Sequence, residues 1–263
     1  MVFSFSIIIP HKNIPHLLER LIKSIPVRDD LEIIVVDDHS DGSVKENLNK
    51  IERDNLTFLF NQDCRGAGFA RNCALPIAKG KWVLFADSDD FFNQGFNDFL
   101  DEYYTDKNRG ELILRYLFTE PWCKMVKRDI IERYQIRFEE TSIRNDVRYS
   151  YLVGHYASKI IVDNRQLYCV TTRNNSVSRG VGRQASLDEL KVFAGWKKFL
   201  MDHKVLLDLP KFDLCLYNFT RHLWKDNRLF RKEYRVLREI GLSHTFIIRQ
   251  ILKYVNKSIG YKM

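Results

Sequence analysis

Short, continuously apolar runs alternate with stretches of helical period along the first hundred residues. SFSIIIP is a β-branched run that predicts a buried strand, and Leu17, Leu18, Leu21 and Ile25 then recur at helical spacing up to Pro26. LEIIVVDD predicts a second strand ending in acids, residues 43–54 a polar helix, TFLF a third strand, residues 68–79 a helix closed by Gly80, and WVLFADSDD a fourth strand. Strands apolar on both faces, separated by helices, are the pattern of a parallel sheet covered on both sides. Ligands of such sheets bind beyond the carboxyl ends of the strands, which is where the polar clusters fall.

Past Phe91 a helix over residues 95–107 and the strand ELILRYLF continue the unit. IIVDN and QLYCVTTR read as a hairpin turning at Asn164 and Arg165, preceded by a helix that begins near Asn145. From Leu187 to Gly260 the pattern is helical throughout. Phe230, Tyr234, Leu237 and Gly241 mark one helix; Ile247, Ile248, Ile251, Leu252, Val255 and Ile259 mark another, capped by Ser243 and stopped by Gly260. The division expected is a domain over residues 1–184 with a helical appendage over residues 185–263.

The 263 residues are 45% hydrophobic and 13% aromatic with only 12 Gly and 6 Pro, which excludes a disordered or collagenous chain and supplies one good-sized core. Five cysteines without a CxxC spacing point to neither a disulfide framework nor a zinc site and fit a reducing compartment. The apolar run over residues 2–9 has no positive flank and ends at Pro10, so it reads as a strand and not as a signal peptide. No run approaches the roughly 18 apolar residues of a membrane-spanning helix. The net charge of +8 is unevenly placed: residues 1–184 hold 26 basic and 26 acidic side chains, and residues 185–263 hold 16 and 8.

The candidate chemistry lies in Asp37-Asp38 and Asp87-Ser88-Asp89-Asp90, at the tips of two predicted strands. Alternate residues of an extended segment project to the same side, so Asp87 and Asp89 can address one ion. Mg²⁺ or Mn²⁺ typically takes one or two protein carboxylates and completes its shell with phosphate oxygens and water.

FSIIIPHKN, EIIVVDDHSDGS, GAGFARNCALPIAKGKWVLFADSDDFF, PWCKMVKRDII and NDVRYSYLVG, in this order, resemble the inverting family 2 glycosyltransferases of cell-surface polysaccharide synthesis, over roughly residues 3–180. The resemblance implies the GT-A fold, an α/β Rossmann-like, mostly parallel sheet with helices on both faces, here followed by the helical C-terminal appendage. It implies transfer of a sugar from a nucleotide diphosphate donor, a UDP-sugar by preference, to a hydroxyl of a glycan or lipid-linked glycan, with Mn²⁺ or Mg²⁺. Pro10 would lie in the first loop over the base and Asp38 would hydrogen-bond it, a charge-assisted bond that suits the imide of uracil. Arg71, with Asn72, matches the family's ARN near the ribose; Asp87 would sit near ribose or metal-bound water and Asp89 would ligate the metal. Asp146 matches the catalytic base, with Asn145 where relatives carry Glu. Arg173, Ser176 and Ser178, with Arg179, match a segment returning to the diphosphate, on a loop that Gly180 and Gly182 loosen into a lid. Trp122 and Lys124 match a step beside the acceptor. Only three residues separate Phe118 from Trp122, where many relatives insert a longer stretch, so the acceptor does not follow by analogy.

Plainer readings stand beside these: Asp38 as a helix cap, Arg71 as the structural partner of an acid, Asp146 as a helix-dipole acid, the 173–182 loop as solvated, Trp122 as core and Lys124 as surface. The basic segment over residues 230–263 fits an anionic membrane surface, or packs its isoleucines on the catalytic domain. That would place the protein in the cytoplasm, peripheral to the inner face of the plasma membrane. Competing functions are an inactive nucleotide-sugar-binding homologue, against which the acids argue, and a nucleic-acid-binding protein, which the charge-neutral first 184 residues disfavour; no nucleic acid is expected.

Overall fold

A computed structural model describes residues 3–48, 50–105, 110–114, 119–172 and 183–260. The chain divides into two compact units, one of residues 1–140 and 145–174, the other of residues 141–144 and 175–263.

The first unit is built on a sheet that begins with β1 (Phe5–His11) and β2 (Leu31–Asp37), both buried along their whole length. β-Branched residues on both faces suit a strand covered from both sides. β1 pairs in parallel with β2 (Ile7 opposite Ile33) and with β4 (Trp82–Phe85; Ile7 opposite Leu84), and β2 pairs in parallel with β3 (Leu56–Phe60). Alternation then divides the core: Ile7, Ile9, Ile33 and Val35 pack with Leu18 and Leu21 of α1 (Pro15–Ser24). Ile8, Ile34, Val36, Val83 and Phe85 pack with Ala70 and Ala74 of α3 (Ala67–Ala74). The polar stretch after β2 forms α2 (Gly42–Leu48), shorter than its pattern predicts. α3 ends before the run predicted, because Pro76 leaves only a 3₁₀ turn over Leu75–Ile77.

Beyond β4 lie β5 (Phe91–Phe92), α4 (Phe96–Thr105), β6 (Leu112–Leu114), β7 (Lys124–Lys127), α5 (Arg128–Arg133), α6 (Val147–Tyr156), β8 (Ile160–Val162) and β9 (Tyr168–Cys169). The seven-stranded sheet among the described residues runs β3-β2-β1-β4-β7-β6-β8. β7 is antiparallel to both β4 and β6, a strand that the sequence pattern did not announce. The 160–173 hairpin is also a misreading. β8 pairs in parallel with β6, β9 pairs antiparallel with β5, and the two do not pair with each other. The would-be turn is taken up by Asp163, whose carboxylate accepts from the backbone and guanidinium of Arg165, and each strand finds a partner distant in sequence. The predicted strand 111–118 extends as far as Leu114; residues 115–118 lie outside those described.

The second unit holds α7 (Arg183–Asp202), α8 (Pro210–Lys225), α9 (Asn227–Glu239) and α10 (His244–Gly260). Asp226 caps α9 by accepting from Leu229 N, and Ser243 Oγ accepts from Phe246 N at the head of α10, as its sequence predicts. Among the described residues no helix is long and apolar enough to cross a membrane.

Candidate active site

The carboxyl ends of β1, β2 and β4 carry the first group of candidates. Pro10 is buried within β1, opposite Val36. Asp37, the last residue of β2, is tied to its neighbours: His11 Nδ1 lies 3.0 Å from its Oδ1, and Ser40 donates both N–H and hydroxyl. Ile14 N donates to His11 Nε2, which leaves Nδ1 as the protonated nitrogen that donates to Asp37. Burial pushes the Asp37 carboxyl up, but the bonds from His11 and Ser40 outweigh it and hold the carboxyl below its usual range. His11 is thus a structural partner.

Asp38 is buried and accepts from Arg65 N at 3.0 Å and Gly66 N at 2.8 Å, with Cys64 Sγ 3.6 Å from Oδ2. Gly66 precedes α3 with φ of +87°, a conformation that suits glycine, and through it Asp38 secures the loop that starts this helix. Oδ2 accepts from both Gly66 N and Cys64 Sγ, and Oδ1, with one donor, keeps a further lone pair for a ligand. Lys12 Nζ donates to Cys64 Sγ beside it, a contact that raises the Lys12 ammonium above its ordinary value.

The turn after β4 carries Asp87 and Asp89, both partly exposed and alternating with the buried Ser88 and Asp90. Arg71 of α3, 4% exposed, reaches Asp87 Oδ1 with Nη2 at 2.7 Å and Asn145 Oδ1 with Nη1 at 2.9 Å. One guanidinium therefore joins the DxD turn to the turn that bears Asp146. The approach of α3 to that turn requires Gly68: a Cβ there would lie 2.1 Å from Glu139 O. Asn72, the neighbour of Arg71, does not reach this site. Its side chain exchanges hydrogen bonds with the backbone of Phe138, at 3.0 and 2.9 Å.

Asp146 immediately precedes α6 and makes no side-chain capping bond, so its carboxyl is not spent on the helix. Burial raises it above the usual carboxylate range, Arg71 and Lys124 pull it back, and Glu120 pushes it further up. Lys124 is buried, not a surface residue, and donates to Glu120 O at 2.6 Å. Trp122 stacks on Tyr168, ring centroids 5.2 Å apart and 10° between planes. Both rings line a cavity of about 60 Å³ together with Lys124, Phe92 and Phe96. Arg173, Ser176 and Ser178, with Arg179, lie outside the described residues.

Sequence reasoning passed over Tyr168, Thr171 and Arg20. The Tyr168 hydroxyl accepts from Asp87 N at 2.7 Å and donates to the Asp90 carboxylate. Thr171 N donates to Asp90 Oδ1 at 2.7 Å, and Thr171 Oγ1 and Arg20 both donate to the Asp89 carbonyl. Burial pushes the Asp90 carboxyl up to about 6 against the lowering by Thr171, and it keeps the Tyr168 phenol protonated. The turn is thus fixed from β9, some 80 positions away, and no local spacing announces it.

Residues 6–158 match the family described as Glycosyl transferase family 2. The chain belongs to that family. Among curated members, it is 45% identical over 62 residues to the Escherichia coli UDP-Glc:alpha-D-GlcNAc-diphosphoundecaprenol beta-1,3-glucosyltransferase WfaP, over 24% of this chain and 25% of that one. It is 28% identical over 160 residues to the Staphylococcus aureus (strain N315) poly(ribitol-phosphate) beta-N-acetylglucosaminyltransferase TarP, 60% of this chain and 47% of that one. The chain spans less than half the length of these curated relatives. The crystal structure of S. aureus TarS 1–349 in complex with UDP-GlcNAc superposes with a TM-score of 0.60 at 19% identity, covering 92% of each chain. Mannosyltransferase PcManGT from Pyrobaculum calidifontis, in complex with GDP-Man and Mn²⁺, superposes with a TM-score of 0.57 at 15% identity, covering 98% of this chain and 80% of that one. At such identities the superpositions establish the fold, and the family 2 sheet has the GT-A form that the sequence resemblance implies.

Proposed function

We propose that the chain is an inverting glycosyltransferase that moves a sugar from a nucleotide diphosphate donor, a UDP-sugar, to a hydroxyl of a glycan or lipid-linked glycan, with residues 1–184 as its catalytic domain. The observation that carries the reading is the Arg71 bridge between Asp87 and Asn145, which sets the turn bearing Asp146 beside the acids of β4. The relative named for UDP-Glc and a diphosphoundecaprenol-linked sugar supports the donor and acceptor classes.

Asp38 receives the base on the remaining lone pair of Oδ1, within the first loop that Pro10 begins, and Arg71 and Asp87 flank the ribose. Arg173, Ser176 and Ser178 are assigned to the diphosphate from the sequence. Asp89, with Asp87, is assigned to Mn²⁺ or Mg²⁺. Among the described residues no cluster of three or more His, Cys, Asp or Glu is placed to hold a metal. Two partly exposed carboxylates, one already shared with Arg71, fit an ion that takes its other ligands from the nucleotide and water. When bound, such an ion neutralises charge on the leaving diphosphate.

The chain's own groups supply the rest. Inversion needs a base on the face opposite the leaving group, with the acceptor between base and sugar. Asp146 takes the acceptor proton; burial raises its carboxyl and makes it a stronger base than an exposed aspartate. Trp122 presents an aromatic face to the acceptor sugar, and Lys124 holds the Glu120 carbonyl beside it. The basic segment over residues 230–263 brings the enzyme to an anionic leaflet on the cytoplasmic side.

Asp146→Asn tests the reading: transfer falls by about 10³-fold, within the usual range for a lost general base, while nucleotide-sugar affinity measured by calorimetry is unchanged. Full transfer by this variant overturns the assignment of the base.

A further inference from the structure

The +8 charge resolves further on the helices of the second unit. Residues 210–263 hold 12 Lys and Arg against 4 Asp and Glu, and the rest of the chain is neutral, with 30 of each. Three of the four acids are engaged within the unit. Asp213 accepts from Tyr254, Asp226 caps α9 and pairs with Arg183 at 2.8 Å, and Glu233, 2% exposed, pairs with His222 at 2.8 Å. The cationic excess is therefore left to the surface.

On α8, Leu214, Tyr217, Arg221, Trp224 and Lys225 recur at i, i+3, i+7, i+10 and i+11 and form one stripe, opposite the buried Phe212, Leu216 and Phe219. The stripe is exposed: Trp224 by 66%, Leu214 by 51% and Tyr217 by 40%. Arg221 lies over the Tyr217 ring at 5.6 Å. Tyr217, Arg221, Trp224 and Lys225 border a groove of about 220 Å³ whose floor is Thr220 of α8 and Tyr254 of α10. The acid at the edge of this face, Asp213, accepts from the Tyr254 hydroxyl at the groove floor. α10 also exposes aliphatic residues beside cations, Ile248 and Leu252 next to Arg249 and Lys253, but no Trp or Tyr: its Tyr254 is turned onto α8.

Amphipathic rings beside an aliphatic residue and two cations are the chemistry of the bilayer interface, where Trp and Tyr settle at headgroup depth and Lys and Arg meet anionic phosphates. We infer that the α8 stripe is the surface by which this chain docks on an anionic lipid bilayer, with Trp224 and Tyr217 among the headgroups and Arg221 and Lys225 on their phosphates. The inference rests on the membrane reading proposed above and moves the contact from residues 230–263 to residues 214–225.

Flotation of the full-length protein with phosphatidylglycerol-containing and with pure phosphatidylcholine vesicles tests it. Three variants are compared with wild type: Arg221→Glu with Lys225→Glu, Trp224→Ala with Tyr217→Ala, and, on α10, Arg249→Glu with Lys253→Glu. The wild type floats with the anionic vesicles and not with the neutral ones. Each α8 variant partitions at least about tenfold less, one because it reverses two interfacial cations and the other because it loses two interfacial rings, with unchanged circular dichroism and unchanged transfer to a soluble acceptor, and the α10 variant floats nearly as wild type does. Trp224→Phe restores flotation and removes the blue shift of tryptophan emission that anionic vesicles produce. α8 variants that float like wild type while the α10 variant does not overturn the α8 assignment and leave the membrane reading standing. A wild type that ignores vesicles of either composition overturns both. Retention on soluble polyphosphate without vesicle binding also overturns the inference, and assigns the groove to a soluble polyanion.

Discussion

Two acidic turns leave the sheet on either side of β1, one after β2 and one after β4, and they are secured in opposite ways. The first buries both Asp37 and Asp38, whereas the second buries Asp90 and leaves Asp87 and Asp89 partly exposed. Asp37 is held by His11, its register partner on the adjoining strand, and by Ser40, three residues on. Asp90 is held by Tyr168 and Thr171, from a strand about 80 residues distant. The donors around Asp37 suffice to keep it ionised, whereas those around Asp90 leave it at about 6. The turn after β2, assembled from neighbours, forms with the sheet itself; the turn after β4 is completed only when β9 docks on β5, and its integrity is a tertiary property.

The largest test of this contrast is Asp37→Ala. It leaves the buried donors of His11 and Ser40 without their acceptor and costs about 3–5 kcal/mol in denaturant unfolding, the usual loss when one member of a buried pair is removed. Asp90→Asn should be milder and tells the two turns apart by pH. A carboxyl raised to about 6 binds its proton more readily folded than unfolded, so its contribution to stability is full below the unfolded value and falls as pH rises through about 6. The loss is on the order of 2–3 kcal/mol, from the usual conversion of a pKa difference. Thermal melts of metal-free protein across this range should show the fall in wild type and not in Asp90→Asn. Asp37 has the opposite sign: its lowered carboxyl stabilises above the unfolded value, and that contribution is lost as pH drops through the folded one.

The smallest effect sharpens the comparison most. Tyr168→Phe keeps the Trp122 stack and removes the hydroxyl from Asp87 N and Asp90. We expect Mn²⁺ affinity, measured by calorimetry with UDP present, to weaken about tenfold, within the range for two lost hydrogen bonds, while Kd for the nucleotide without metal stays constant. Equal loss with and without metal would show that the phenol supports the whole crevice.

What could be read from the sequence follows the same line. SFSIIIP, LEIIVVDD and WVLFADSDD announce their strands because burial on both faces writes itself into consecutive residues, and the acids at their ends mark the crevice. Gly68 and Arg71 lie within the ARN segment, but their roles depend on Glu139 and Asn145, which the fold brings near. β7 is only four residues and carries Lys at both ends, so its pattern is too short to read. The false hairpin of residues 160–173 has the same cause as the neglect of Tyr168. Local alternation identifies a strand but not its partner, and here both partners lie far away.

Arg71 carries a single positive charge, and two anions within its reach draw on it. Asp87 receives it directly, and Asp146 feels it across the Asn145 bridge as a downward pull on its carboxyl. The two turns therefore share one cation. Whatever draws Asp87 off Arg71 when a ligand occupies that side of the crevice leaves the positive charge less compensated and strengthens its downward pull on the Asp146 carboxyl. The side chain proposed as proton acceptor would thus be readied by occupancy of the opposite side, with no moving part beyond one guanidinium.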